Sequence, residues 1–456
     1  MPINDPIAKP AIIASQNRLG KVAGAAKQMA LESFARWREH KAGFMFTGAS
    51  VLVACGSMLA AMVTIRWISP EDLGLWNSVR LALVYAMFAL AGMNSGLSRE
   101  LPYFFGKSDE TAARKLAGTT LSYLLGAGLL VLLGGAASLV LFQHYGAKLE
   151  AAIAAVTLLI LFNYYTNYLV VTFRSSNSFR DFSKIKFGEA FITVGTIPLI
   201  YYLGYGGLLT RTLVLGGVVL GLMHWLRPVR VSPQWDGKSF LLLLKTGIPF
   251  FALEYIGTSA ATCDRLVLLH FGGVKLVGYY ALALMAWEAI NIVPNTFGQY
   301  IYPRMSHSYG QHHDPIRLWK MAVKSGMLVV AFMIPAVIAG WFLMPPVVTK
   351  LFPKYAAAVA EAQWMLVGAI FYGAGLGRMA IWSMKDLKFM TCYQVLYSVF
   401  VIIGPILGGV FGKNTLVDVS LGMMFAQAAW LPVGGYLIYR ATHRRRANPP
   451  APSAAQ

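Results

Sequence analysis

Acidic residues are scarce in this chain. Asp and Glu number 19 among 456 residues, against 39 Lys and Arg, which leaves a formal charge of +20. Charged residues of all kinds make up 13% of the chain and apolar ones 57%, with a mean hydropathy of +0.57. A soluble globular domain carries about a quarter charged residues, so the composition excludes that class. The positive surplus does not mark a nucleic-acid protein either. Lys and Arg sit in short clusters between apolar runs, with no zinc-finger, RNA-binding aromatic or helix-turn-helix pattern. Cysteine is limited to Cys55, Cys263 and Cys392, all in apolar runs and none in CxxC spacing. They read as packing residues, with neither a disulfide framework nor a metal site. A P-loop, GxSxG, HExxH and an acidic DxD loop are likewise missing, so the chain is not read as an enzyme and no cofactor is expected. His307, His312 and His313 cluster without carboxylate spacing and read as solvated loop.

Long uncharged runs are what the chain has instead. Phe44 to Ile65 is 22 residues without a charge, and about 20 helical residues cross the hydrocarbon core. Similar runs place twelve spans near 44–65, 76–98, 116–142, 150–173, 187–204, 207–226, 241–263, 277–298, 319–344, 358–382, 390–411 and 417–438. The fifth and sixth are separated only by Gly204-Tyr-Gly-Gly207, and a re-entrant pair is the other reading of them. The N-terminal arm, the even-numbered loops and the tail hold 29 of the 39 Lys and Arg, which puts both termini in the cytoplasm. In the arm, Leu19, Val22, Ala26 and Met29 recur at helical spacing among basic residues. It reads as an amphipathic helix on the anionic leaflet or as a disordered basic arm. The loops on the expected outer face are short, the longest near 345–357. That excludes the large outer catalytic loop of a lipid-linked sugar polymerase or ligase.

Two stretches of 66 residues, 41–106 and 245–310, repeat one pattern at an offset of 204. Each has a basic flank, an apolar span, a short glycine-containing turn, a second span and a basic loop. Without a gap, Gly74 falls on Gly278, Val63 on Val267 and Ala82 on Ala286. A duplicated membrane chain suggests two bundles with a path between them. The expected division is a basic arm (1–42), a first six-helix bundle (43–228), a cytoplasmic linker (229–240), a second six-helix bundle (241–440) and a basic, proline-rich tail (441–456).

Ionisable groups inside spans are costly, so they mark function. They are Arg80 in the second span, Glu189 in the fifth, Glu254, Asp264 and Arg265 in the seventh, Glu288 in the eighth and Arg378 in the tenth, with Arg66 closing the first. Glu254 and Arg265 share a face if the seventh helix is regular, about 16 Å apart at 1.5 Å per residue. Glu288, Asn291, Asn295 and Gln299 fall on one face of the eighth. Asn163 and Asn167 make a smaller polar patch in the fourth, with Tyr164, Tyr165 and Tyr168 as part of the patch or as interfacial belt.

Three motifs carry a family resemblance. Ile68-Ser-Pro-Glu-Asp-Leu-Gly74-Leu-Trp76 resembles the turn after the first span of polysaccharide exporters. Gly96-Leu-Ser-Arg99-Glu-Leu-Pro102-Tyr-Phe-Phe-Gly106 resembles their first cytoplasmic loop. Asp264-Arg265-Leu-Val-Leu268, with Phe271-Gly-Gly and Val277-Gly-Tyr-Tyr280-Ala-Leu-Ala, resembles their seventh-span motif. These are motifs of Wzx-like oligosaccharide flippases of the multidrug/oligosaccharidyl-lipid/polysaccharide exporter superfamily. The resemblance implies an all-α polytopic membrane protein with twelve helices in two pseudo-symmetric six-helix bundles, MATE-like. It also implies export of a polyprenyl-pyrophosphate-linked oligosaccharide across a bacterial inner membrane, in association with membrane lipid and polysaccharide polymerase machinery. Arg66, Arg80, Arg265 and Arg378 are then candidates for the pyrophosphate, and Asn163, Asn167, Asn291 and Asn295 for the sugar. Glu254 first, then Asp264, Glu288 and Glu189, are candidates for a coupling H⁺ or Na⁺. A cation-coupled multidrug antiporter on the same fold and a non-transporting scaffold are the alternatives.

The orientation makes a direct prediction. Single cysteines at Asn414 and Lys350 are expected to react with an impermeant thiol reagent added to intact cells, and those at His312 and Ser453 are not. Reaction at His312→Cys would invert the topology.

Overall fold

The computed structural model describes Met45 and residues 48–447. The helix weighed for the N-terminal arm lies outside the described residues. Within them the chain is 91% helical, with no strand. The helices are α1 (Gly48–Trp67), α2 (Pro70–Ala86), α3 (Met93–Gly106), α4 (Glu110–Phe142), α5 (Ala147–Ser175), α6 (Phe179–Gly195), α7 (Ile197–Trp225), α8 (Gly237–Ala260), α9 (Cys263–His312), α10 (Pro315–Leu351), α11 (Val359–Ala374), α12 (Met379–Ser383), α13 (Leu387–Phe411) and α14 (Thr415–Ala447).

Twelve passes result, though helices and passes do not coincide. The second pass is broken, with α2 and α3 joined through a short 3₁₀ turn and left-handed residues at Ala91 and Gly92. The continuous stretch Gly237–His312 has 76 residues, about 114 Å of helix at 1.5 Å per residue. No single crossing of a hydrocarbon core about 30 Å thick accommodates it. It divides at Gly273, where φ 71° and ψ −176° interrupt the helix. The chain also turns inside α7 at Gly204, so α6 and residues 197–203 form the fifth pass and the remainder of α7 the sixth. The expected turn at Gly204–Gly207 is therefore present, and it joins two full passes. The eighth pass runs on to His312, which makes His307 and His312 helical rather than loop residues.

The face against the membrane is apolar throughout. On α4, Leu125, Leu130, Leu133 and Leu141 are 58–71% exposed, and Phe342 on α10 and Phe411 on α13 are 72% and 79% exposed. No water-soluble fold presents so continuous an apolar surface, and the chain is a multi-pass membrane protein. Cys55 and Cys392 are exposed on this surface rather than packed inside, and only Cys263 is half-buried.

The few carboxylates are used to start helices. Asp109, Asp236, Asp314 and Asp386 cap α4, α8, α10 and α13, each accepting a backbone N–H of the first turn at 2.9–3.3 Å. A cap of this kind satisfies donors that the helix itself leaves open. The Ser239 hydroxyl and N–H hold the exposed Asp236 carboxylate below its usual range. Three of the caps follow a left-handed residue, at Ser108, His313 and Lys385, and a fourth such residue, Asn177, precedes Ser178 and α6. These four tight turns recur at corresponding places in both halves. The linker is pinned to α4: Gln234 Nε2 donates to the Arg114 carbonyl at 3.0 Å, and Ser122 Oγ donates to the Gln234 carbonyl at 3.0 Å.

The halves meet across the repeat. A β-carbon on Gly74 would run into the carbonyl of Val274, and one on Gly278 into the carbonyl of Pro70. At an offset of 204, Val274 is the counterpart of Pro70 and Gly278 that of Gly74. The contact is therefore reciprocal, as in a two-fold interface, and only glycine lets the backbones approach so closely. Glu71 Oε1 lies 2.8 Å from Lys275 Nζ, its own counterpart in the repeat. Gly96 and Gly247 make a second close crossing between α3 and α8. Replacing Gly278 with Val is expected to cost about 1–3 kcal/mol through overpacking. It should also speed labelling of Ala61→Cys in the cavity from the expected outer side. Gly134→Val, with open space around it, is the control. Unchanged labelling in the Gly278 variant would mean that this crossing does not seal the cavity.

Candidate functional site

A cavity of about 1010 Å³ opens between the bundles, lined by α1, α2, α3, α5, α7, α8 and α9. The helical period sets its lining. On α2, Gly74 and Trp76 are buried, while Asn77, Arg80 and Val84 present the cavity stripe at i, i+3 and i+7. On α9, Ala281, Leu284 and Glu288 do the same at the positions that correspond under the repeat. The duplication therefore gives two matched stripes with different charges: a guanidinium on one and a carboxylate one turn further along on the other.

Four guanidiniums line the cavity, those of Arg80, Arg174, Arg211 and Arg265, against two carboxylates, Glu254 and Glu288. The surplus is two positive charges. Arg80 interacts electrostatically with both Glu288 and Arg265, which brings charges from the two bundles together. Arg265 is oriented from behind. Its Nε lies 3.3 Å from Asp264 Oδ1, its NH2 donates to the Ala261 carbonyl at 2.9 Å, and Asp264 also accepts the Tyr280 hydroxyl at 2.7 Å. Asp264 is 1% exposed, and these donors compensate its charge. Arg211 reaches the Thr193 carbonyl at 3.3 Å through NH2, and its buried Nε has no partner among the described residues. Asn77, Asn94, Asn163 and Asn167 add amides to the wall, and both polar atoms of the Asn94 side chain are unpartnered among the described residues.

The structure brings Arg80, Arg265, Asn163, Asn167, Glu254 and Glu288 into this one cavity and leaves six other expected residues outside it. Arg66 donates to the carbonyls of Lys350 and Leu351, tying the halves together at the face of the Gly74–Gly278 crossing. Arg378 lies within the second bundle, donating to the Tyr372 hydroxyl at 3.1 Å. Asn291 is buried with Nδ2 on the Trp287 carbonyl, and Asn295 is exposed away from the cavity. The eighth-span stripe is longer than the cavity is deep, so only its first member, Glu288, faces in. Asp264 stands behind Arg265, and Glu189 is paired with Lys186 at 2.7 Å. Glu254 and Arg265 do not share one regular helix, because the chain breaks at Ala261 and Thr262. The tyrosines of the fourth span pack rather than form a belt. Tyr164 and Tyr168 are each 2% exposed, and the Tyr164 hydroxyl donates to the Ala86 carbonyl.

Arg174 and Arg211 were not among the sequence candidates. Arg174 ends α5 in a basic cluster and reads as a topology signal. Arg211 carried the same mark that singled out Arg80, a lone charge within an apolar span.

A family model described as polysaccharide biosynthesis protein matches residues 63–359. The amylovoran biosynthesis protein AmsL of Erwinia amylovora is 25% identical over 171 residues, which is 36% of this chain and 43% of that one. The chain thus spans less than half the length of that relative. Among solved structures, the inward-facing conformation of a multidrug resistance MATE family transporter of the MOP superfamily superposes with a TM-score of 0.71. The identity is 16%, over 88% of this chain and 96% of the other. The lipid II flippase MurJ, in an inward closed conformation, superposes with a TM-score of 0.68 at 13% identity, over 89% of this chain and 91% of that one. The chain shares the fold of these two transporters.

Proposed function

We propose that this chain, which belongs to the polysaccharide biosynthesis protein family, moves a polyprenyl-pyrophosphate-linked oligosaccharide from the inner to the outer leaflet of a bacterial cytoplasmic membrane by alternating access. One observation carries the reading: Arg80 and Arg265, one from each bundle, face a single cavity that holds two more guanidiniums than carboxylates. A guanidinium engages phosphate oxygens through a planar fork, and such charge-assisted bonds are about twice as strong as neutral ones. Two guanidiniums on opposite bundles clamp a pyrophosphate only while both bundles face it, so binding is sensitive to the gate. The amides of Asn77, Asn94, Asn163 and Asn167 suit the hydroxyls of a saccharide, and the apolar prenyl chain remains in lipid. The names of AmsL and MurJ, an amylovoran biosynthesis protein and a lipid II flippase, agree with this assignment. With both termini in the cytoplasm, the Gly74–Gly278 crossing closes the outer face, and the released saccharide passes to the polymer-forming machinery there.

A multidrug antiporter of cationic compounds calls for an acidic cavity, and the positive surplus here disfavours it. Arg80→Ala and Arg265→Ala are each expected to abolish surface polymer and to accumulate lipid-linked saccharide in the inner leaflet, at unchanged protein level. Lys at either position should restore part, because an ammonium returns charge without the fork. Ethidium efflux should be unaffected. Normal surface polymer in both alanine variants, with impaired efflux, would replace this function with drug export.

A further inference from the structure

We propose that Glu361 is a proton site of the second bundle, separate from the saccharide cavity, and that its protonated form holds the outer face closed. Glu361 lies in the first turn of α11, is 0% exposed, and neither of its carboxyl oxygens has a hydrogen-bond partner among the described residues. Ala358 and Ala362 beside it are fully buried, and so is Met365 one turn on. An ionised carboxylate in that setting would bear an uncompensated desolvation cost, so the neutral acid is the stable form. α11 packs on α9, α10 and α14. From α9 the Tyr280 hydroxyl interacts electrostatically with Glu361 and touches the Met365 sulfur at 3.6 Å. The other ionisable groups of these elements are engaged elsewhere or exposed. Asp418 at the start of α14 accepts the Asn414 N–H, and Lys350 at the end of α10 is exposed.

The site is joined to both moving parts. Tyr280 also donates to Asp264, the carboxylate that holds Arg265 in the cavity. On the other side, Glu361 follows the segment that seals the outer face. There the Tyr355 hydroxyl donates to the Ile68 carbonyl at 3.3 Å, and Lys354 donates to the Trp67 carbonyl at 3.4 Å. Parting of that contact admits water to the first turn of α11. The Glu361 proton can then pass to water, and the ionised carboxylate favours the open arrangement. Reclosure requires a proton to return from the outer solution. Protonation thus differs in free energy between the two states, which is the condition for an ion to shift them. The site joins the proposed function as the energy-linked step of that cycle.

The test uses the full chain without its native cysteines, in lipid nanodiscs, spin-labelled at His144→Cys and Lys413→Cys on the outer ends of the two bundles. Raising the pH is expected to increase the open-outside population several-fold. Infrared difference spectra should show loss of a protonated carboxyl band over the same range. Glu361→Gln should remove that band and leave the population closed at every pH. Glu361→Asp, as a check on folding, should keep the response with a shifted midpoint. Identical pH profiles in wild type and Glu361→Gln, or a response to Na⁺ instead of pH, would overturn the proton site. A retained Glu361-dependent response in a protein that translocates no lipid-linked saccharide would overturn only the proposed function.

Discussion

The reciprocal crossing of α2 and α9 is the contact on which the rest of the molecule depends. Gly74 lies on the backbone of Val274 and Gly278 on that of Pro70, positions that exchange under the internal repeat. Lipid supplies little drive for helix association, so close backbone packing and a few polar ties have to hold the bundles. Here the ties gather around the crossing: Glu71 with Lys275, Arg66 with the carbonyls of Lys350 and Leu351, and Tyr355 with Ile68.

The scarcity of carboxylates shapes the cavity. Four aspartates are spent at helix starts and Asp264 is held by Tyr280 and Arg265. Of the remaining carboxylates, Glu254 and Glu288 are the two that line the cavity, against four arginines. Arginine in a lipid-embedded cavity keeps its charge under all ordinary conditions. The site therefore favours anions, and the anionic headgroup of the proposed substrate would provide the countercharge the protein does not.

Much of this was legible in the residues, because bilayer thickness and the positive-inside bias act directly on sequence. Twelve passes and the turn at Gly204 follow from such one-dimensional signals, and self-similarity matches Gly74 with Gly278 in the repeat, but their contact in space shows only in the structure. The cavity was only half legible. The cost of a charge inside a span singles out Arg80, Glu254 and Glu288, yet it cannot say which neighbour each charge meets. Arg378 satisfied the same rule as Arg80 but turned to Tyr372 within its own bundle. Arg66 sat at a span end where its partners, the carbonyls of Lys350 and Leu351, lie more than 280 residues away. Asn291 and Asn295 extended a stripe past the cavity's depth. Arg174 was masked because a basic residue at a helix end serves topology and binding alike. Glu361 was passed over among alanines, and only three-dimensional burial shows that its carboxyl oxygens have no hydrogen-bond partner among the described residues.

The central claim is that a two-bundle arginine clamp carries a lipid-linked anion, and reconstitution tests it most directly. Purified protein in vesicles would be given a labelled polyprenyl-pyrophosphate oligosaccharide, and its exposure on the far leaflet followed with time. Wild type is expected to equilibrate the two leaflets. Removing both Arg80 and Arg265 should slow this by at least about tenfold, since bonds to charged groups contribute about 1.5–3 kcal/mol each. Equal rates in wild type and the double alanine variant, or transport of ethidium in place of the saccharide lipid, would contradict the account.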